Sequence, residues 1–170
     1  TYLNTGDTAF TAHHAVIVPD GTIGTNRMNG TNTTTGGYVG SFMFASALPV
    51  YNTHFSAKLN NHLLSHREIL SNSVTGNQAS GWAWADVKIN LMSEPEVYGS
   101  NLWGNKYDAG VNYRQFPLFR IASKYICNRN WYWLNAVAGG NDFVAMTSNG
   151  NATRNGAGVA LAVCPRFCIG

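Results

Sequence analysis

The sequence has few charged residues. Only 11% of its 170 residues are Asp, Glu, Lys or Arg, and its net charge is +3. Soluble domains usually carry about a quarter of charged residues. Lys and Arg also never form a run that could follow a phosphate backbone. We therefore predict no nucleic-acid partner, and a neutral polar surface that binds through hydrogen bonds and aromatic contacts.

Long apolar runs are absent as well. No stretch approaches the ~20 apolar residues of a membrane span, and the first residues lack the pattern of a secretion signal. We therefore predict no membrane insertion. The hydrophobic content of 45% is enough for one self-supporting core, so residues 1–170 are interpreted as a single domain. A start at Thr1 rather than Met leaves open that the chain is the C-terminal part of a longer polypeptide.

Cysteine is scarce and not arranged for metal binding. Cys127, Cys164 and Cys168 occur without a CxxC motif or a Cys/His ligand spacing. Buried free thiols are the favoured interpretation, and a disulfide joining Cys127 to one of the other two is the alternative.

Catalytic motifs are missing too. There is no GxSxG, P-loop or GxGxxG motif in a suitable context, so we predict that the protein is not an enzyme and uses no cofactor. The adjacent His13 and His14 would point to opposite faces of a strand, and no metal site is predicted from them. The triplet from His66 to Glu68 could be an acid/base cluster, but a buried ion pair is favoured. Asp86, Asp108 and Asp142 show no DxDxDG loop, and a calcium site remains open.

The turn-forming residues Gly, Asn and Pro occur frequently along the chain, and helical periodicity is rare. This pattern predicts an α+β domain that is rich in loops, with small antiparallel sheets and two or three short helices. Strands are predicted at 13–18, at 62–70 and at the apolar end of the chain, and two short helices or one kinked helix within 38–63. Ser93 is the predicted N-cap of a further helix, and 71–81 is predicted to be a loop. We expect all five tryptophans to be mostly buried: Trp82, Trp84, Trp103, Trp131 and Trp133.

Several aromatic motifs together resemble a known family. In order along the chain they are GYVGS, LLSHREIL, ASGWAWADVKINLMSEPEVYGS, LWGNKYDAG, QFPLF, NWYWL and CPRFCIG. The set resembles the variable proteins of diversity-generating retroelements, and the similarity runs from about Thr11 to Gly170. The resemblance implies a C-type-lectin-like fold of the formylglycine-generating-enzyme type, with exposed side chains near the C-terminus diversified by the retroelement.

By this resemblance, residues 139–161 are the variable region. Phe143, Gly150 and Ala157 are interpreted as fixed scaffold positions. The family's usual Arg-Pro pair at the last strand is replaced by Cys164 and Pro165, followed by Arg166, so the resemblance alone predicts no anchoring ion pair there. The residues assigned to ligand contact are Gly140, Asn141, Asp142, Val144, Ala145, Thr147, Asn149, Asn151, Thr153, Arg154, Asn155, Val159 and Leu161.

The function implied by the resemblance is binding without catalysis. The expected partner is a protein or other surface receptor on a target cell, and the expected location is a phage tail or a bacterial cell surface. A homo-oligomer, such as a trimer on a tail fibre, is compatible with that role. Two alternatives remain: a structural domain of a virion or cell surface, and an enzyme of the formylglycine-generating type that oxidises a client cysteine.

Overall fold

The structure, a computed structural model, describes residues 13–105, 107, 115–126 and 129–170. It is an α+β domain with several small sheets and short helices, which confirms the predicted fold class. The strands are β1 (Ala15–Ile17), β2 (Gly24–Asn26), β3 (Leu63–Leu64), β4 (His66–Thr75), β5 (Gln78–Val87), β6 (Ile89–Leu91), β7 (Tyr132–Val137), β8 (Asp142–Met146), β9 (Ala152–Gly156), β10 (Leu161–Val163) and β11 (Pro165–Ile169).

The helices are all short. Those predicted within 38–63 are confirmed, as a π-helical turn followed by two α-helices. The part of the chain that the structure describes holds four α-helices, against the two or three predicted. The additional one begins at Pro117, a residue favoured in a first helical turn. The helical segments are Met43–Ala47 (π), α1 (Leu48–Thr53), α2 (Ala57–Asn60), α3 (Glu94–Tyr98), α4 (Pro117–Ile121) and a 3₁₀ turn (Ser123–Tyr125).

The last strand joins distant parts of the chain. β11 pairs antiparallel with β1, β3 and β6 in a four-stranded sheet. A second sheet has five strands in the order β2-β10-β7-β8-β9. The prediction of antiparallel sheets holds except for one parallel contact, in which Ala162 of β10 lies beside Tyr132 of β7.

The segment predicted to be a loop at 71–81 is instead a β-hairpin. β4 and β5 form a two-stranded sheet whose arms are joined by Gly76 and Asn77. Both turn residues have positive φ, 60° and 65°, as a tight two-residue hairpin turn requires. The polar composition that suggested a loop belongs to strand arms that lie largely at the surface.

The five-stranded sheet separates two apolar clusters. Along β7 and β8 the side chains alternate, so that Trp133 and Phe143 contact one cluster while Leu134 and Val144 contact the other. Both faces of these strands are therefore covered. This explains why their sequences are almost continuously apolar.

The tryptophan prediction is only partly correct. Trp133 is fully buried, and its indole N–H donates to the carbonyl of Asn26 at 2.9 Å. Trp82 is half-buried, whereas Trp84, Trp103 and Trp131 remain 42–47% exposed. The core is filled by aliphatic, methionine and other aromatic side chains, so these three indoles are available at the surface.

Candidate ligand-binding groove

Most of the predicted contact residues lie on the hairpin formed by β8 and β9. β9 is an edge strand of the five-stranded sheet, while β8 lies between β7 and β9. A strand with neighbours on both sides and covered faces has no free surface, whereas an edge strand can contact a partner. The position of each residue in the hairpin therefore decides whether it can meet a ligand.

Three predicted contacts belong to the core instead. Val144 and Ala145 are fully buried, because each points into one of the two apolar clusters beside the sheet. Leu161 is also buried and packs in the same cluster as Trp133. These residues were predicted to be exposed because their sequence neighbours are small and polar. The sequence does not show that both faces of the sheet are covered.

The remaining ten predicted contacts are exposed or half-buried. They are Gly140, Asn141, Asp142, Thr147, Asn149, Asn151, Thr153, Arg154, Asn155 and Val159.

These residues do not share one face of the hairpin. Thr147, Asn149 and Asn151 lie in its turn, at the opposite end of β8 from Asp142. Arg154 and its neighbour Thr153 point to opposite faces of β9.

The three predicted scaffold positions are buried or lie in a turn, while their constancy stays a prediction. Phe143 and Ala157 are fully buried. Gly150 has φ +83° in the β8–β9 turn, a conformation that favours glycine.

Four of the exposed contacts meet in a groove. Its volume is about 600 Å³, within the range of small-ligand sites. Residues 137–142 meet the turn of the β4–β5 hairpin, the loop 103–105 and Arg154 of β9 there. The predicted residues in the groove are Gly140, Asn141, Asp142 and Arg154.

Trp103, Arg154 and Asp142 form one group in this groove. The guanidinium carbon of Arg154 lies 5.5 Å from the centre of the Trp103 ring, a cation–π contact. Nε of the same guanidinium lies 3.8 Å from Oδ2 of Asp142. Both charged side chains are partly exposed, so this loose pair contributes little to stability. Its effect is to bring opposite charges and an aromatic ring together at the groove surface.

Glu94 stabilises the loop 103–105, which carries Trp103. The carboxylate of Glu94 is buried and accepts the backbone N–H of Trp103 at 3.0 Å and that of Gly104 at 2.8 Å. Burial raises the pKa of Glu94, and these N–H groups oppose that shift. Glu94 opens helix α3, where Ser93 and Glu96 form a capping box, which confirms Ser93 as the N-cap.

The opposite side of the groove is held by Thr34. Its buried hydroxyl lies 2.9 Å from the carbonyl oxygen of Gly139 and 2.8 Å from that of Gly140. A Cβ added at Gly140 would run into the side chain of Asn77 in the hairpin turn. The 139–140 backbone is therefore packed tightly against that turn, with no side chain of its own.

Several groove residues were not predicted from the sequence. Trp103 was expected in the core, while Asn77 and Gln78 were assigned to a loop without a role. The pair Gly76 and Asn77 is a hairpin-turn signal that could have located the turn. No sequence signal marks Glu94 and Thr34 as supports, because their burial depends on distant segments.

The acid/base candidate is a buried ion-pair cluster. Arg166 contacts Oε2 of Glu68 at 2.6 Å and Oε1 of Glu96 at 3.1 Å, and Nε2 of His66 lies 2.6 Å from Oε1 of Glu68. Burial alone would raise the pKa of Glu68, but Arg166 and His66 hold it at about 2. All four residues are 4% exposed or less, so no substrate reaches them. Arg166 thus supplies an anchoring ion pair that the resemblance did not predict.

The cysteines are buried where they are described. Cys164 and Cys168 lie in the core, and Cys168 is a free thiol. Burial raises the pKa of Cys168 to about 11. Cys127 lies outside the described residues, so the prediction of three free thiols stays a prediction.

The described residues form neither a cluster of metal ligands nor a helix suited to a bilayer. Within residues 13–105, 107, 115–126 and 129–170, no three His, Cys, Asp or Glu side chains gather to hold a metal ion. Asp108 falls outside these ranges. None of the helices described has the length and apolar character that a bilayer crossing requires.

Comparisons of the chain with protein-family models, curated proteins and solved structures gave no match.

Proposed function

We propose that this protein is a non-enzymatic ligand-binding protein that attaches a phage tail or a cell surface to a receptor on a target cell. The observation that carries the proposal is the groove, in which exposed Trp103, Arg154 and Asn141 stand on a backbone held by buried Glu94 and Thr34. A binding protein that must recognise many targets needs a rigid backbone, so that its exposed side chains can change without disturbing the fold.

From the resemblance to retroelement variable proteins, we propose that a retroelement changes the codons of this site. Exposed residues of 139–161 would be rewritten, while Phe143, Gly150 and Ala157 would stay constant. Val144, Ala145 and Leu161 are buried, so they are excluded from the residues that could be exchanged without disrupting core packing.

A catalytic role of the formylglycine-generating type is less well supported. Such chemistry needs reactive thiolates in an accessible cleft. Cys164 and Cys168 are buried in the core, and a pKa of about 11 keeps the Cys168 thiol protonated at neutral pH. Neither cysteine lines the groove, and Cys164, which lines a second pocket, is only 2% exposed.

The proposal is tested by exchanging five side chains of the hairpin region together. Asn141, Thr147, Asn149, Thr153 and Arg154 are replaced by other polar residues, and staining of a panel of bacterial strains by the labelled protein is measured by flow cytometry. We expect binding to be lost or redirected, while each exposed exchange changes stability by only ~0.5 kcal/mol.

A matched control exchanges three exposed polar residues far from the hairpin: Lys58, Asn61 and Lys88. This variant should stain the same strains as the original protein. The proposal fails if the five-residue variant folds and still binds the same strains, or if the original protein binds none.

A genomic observation tests the diversification separately. A reverse transcriptase gene and a near-identical repeat of the 3′ end beside this gene are expected. Their absence would remove the retroelement from the proposal.

A further inference from the structure

We infer that the groove takes a neutral saccharide, so that the receptor contact is made through a glycan. This inference rests on the proposed function and names the ligand class of the same site. It is argued from the groove's charge, its hydrogen-bonding groups, its aromatic ring and its shape.

The charges of the described groove residues cancel. Among the lining residues that the structure describes, only Asp142 and Arg154 are charged, and Oδ2 and Nε of these side chains lie 3.8 Å apart. These described residues therefore offer no excess positive charge to a phosphate or a sulfate, and no excess negative charge to a cation. A ligand without net charge fits this balance, because it need not separate the pair.

The polar groups of the groove suit hydroxyl ligands. Asn77 and Gln78 are exposed at the hairpin turn. Asn141 is exposed on the facing segment, where its amide nitrogen donates to the carbonyl oxygens of Gly140 and Asn32 and its amide oxygen is left to accept from a ligand. A primary amide both donates and accepts hydrogen bonds, and a sugar hydroxyl does the same. The carboxylate of Asp142 adds an acceptor and the guanidinium of Arg154 adds donors, so adjacent hydroxyls can be bound from both sides.

The aromatic ring supplies the apolar contact. Trp103 is 47% exposed although its backbone N–H is held by the buried Glu94 carboxylate. Glu94 fixes the backbone at this position, and a tryptophan side chain has only two rotatable bonds, so it loses little entropy when a ligand packs on it. The C–H groups on one face of a pyranose carry partial positive charge and pack against the electron-rich face of an indole.

The shape favours a ring over a peptide. The lining has no large aliphatic cavity, since its described apolar side chains besides Trp103 are Ala79, Val137 and Ala138. An anchoring side chain of a peptide would find no apolar pocket there. Gly139 and Gly140 contribute backbone and no side chain to the lining, which leaves room beside Asn77 and Asn141 for a saccharide ring.

The test uses an array of neutral and acidic oligosaccharides and three proteins: the original chain, Trp103→Ala and Trp131→Ala. Trp131 is the matched control, because it is 42% exposed and lies outside the groove lining. We expect the original protein to bind a subset of neutral saccharides. Trp103→Ala should bind at least about tenfold more weakly, a loss of about 1.4 kcal/mol, and Trp131→Ala should bind like the original.

The salt dependence gives a second readout. Binding to a neutral saccharide should change less than about twofold between about 50 mM and about 500 mM NaCl, because no net charge is neutralised. Binding to acidic saccharides only, or to none on the array, would overturn the inference.

Treatment of the stained bacteria separates this inference from the proposed function. Periodate, which cleaves vicinal diols, should abolish staining, whereas proteinase should leave it. Staining that survives periodate and is lost to proteinase would overturn the glycan inference while the receptor-binding proposal stands. An original protein that stains no strain contradicts the proposed function, whatever the array shows.

Discussion

The indole of Trp133 lies at the centre of the larger apolar cluster and also makes a hydrogen bond through Nε1. Replacing it by Ala removes a large buried side chain and leaves a cavity. We expect Trp133→Ala to lower the free energy of unfolding by roughly 3–5 kcal/mol in urea denaturation. Trp131→Ala, at a neighbouring position, should lower it by less, because Trp131 is already 42% exposed in the folded protein. Equal effects of the two substitutions would contradict the assigned burial.

Glu68 makes the stability of the protein depend on acid. Its pKa is about 2 in the folded protein, below the ordinary value of 4.5, so its contribution is complete above pH 4.5. As the pH falls from 4.5 towards 2, the unfolded chain binds this proton first, and the contribution is lost. We expect the midpoint of urea unfolding to fall across this range.

Glu68→Gln provides the comparison. It leaves Arg166 partly unpaired in the core and should cost roughly 3–5 kcal/mol at neutral pH, with a flatter dependence on pH in acid. Asp86→Asn, which removes the partner of Arg67 in a partly exposed pair, should cost only ~0–1 kcal/mol. An unchanged acid slope in Glu68→Gln would show that other carboxylates cause it.

Cys168 should be unreactive while the protein is folded. Its side chain is fully buried, and a pKa of about 11 leaves almost no thiolate near neutral pH. We expect alkylation of Cys168, followed by peptide mass spectrometry, to be much slower in the native protein than in urea. Equal rates would mean that this end of the chain opens readily.

Among the elements, the β4–β5 hairpin depends most clearly on a single backbone conformation. Gly76 has φ +60° and no neighbour within 4 Å of an added Cβ, so Gly76→Ala tests backbone conformation alone. We expect a loss of about 1–2 kcal/mol in the free energy of unfolding. Gly21 also has open space but no positive φ in the left-handed range, and Gly21→Ala should change stability by no more than ~0.5 kcal/mol. A larger cost at Gly21 than at Gly76 would contradict the turn type.

The elements also show which local signals were sufficient. The N-cap at Ser93 and the strand before Pro19 are set by neighbouring residues, and both were predicted. Only residues 71–81 of the β4–β5 hairpin were missed, because their Ser, Asn and Gly residues have weak strand preference. Those residues pair across the turn, and cross-strand pairing is not visible in one segment.

At the scale of the whole molecule, the fold class could be predicted but the groove could not. Dense turn residues and short periodic segments are enough to indicate a loop-rich α+β domain. The groove joins residues near 34, 77, 94, 103, 140 and 154, and their meeting depends on pairings over long stretches of chain. Predicted contacts such as Val144 and Ala145 failed for the same reason, because sheet order decides which strand is enclosed.

The pairing of β11 with β1, β3 and β6 has a consequence for how the chain acquires its structure. All three partner strands come earlier in the chain than β11. Ala15 of β1, for example, pairs with Ile169 of β11. During synthesis this sheet cannot assemble until β11 has left the ribosome. Contacts so distant in sequence slow folding, which for such topologies takes milliseconds to seconds. Until then, the segments Ala15–Ile17 and Ile89–Leu91 lack their β11 partner and are prone to aggregation. Chaperones that bind exposed strands could bind these segments at that stage.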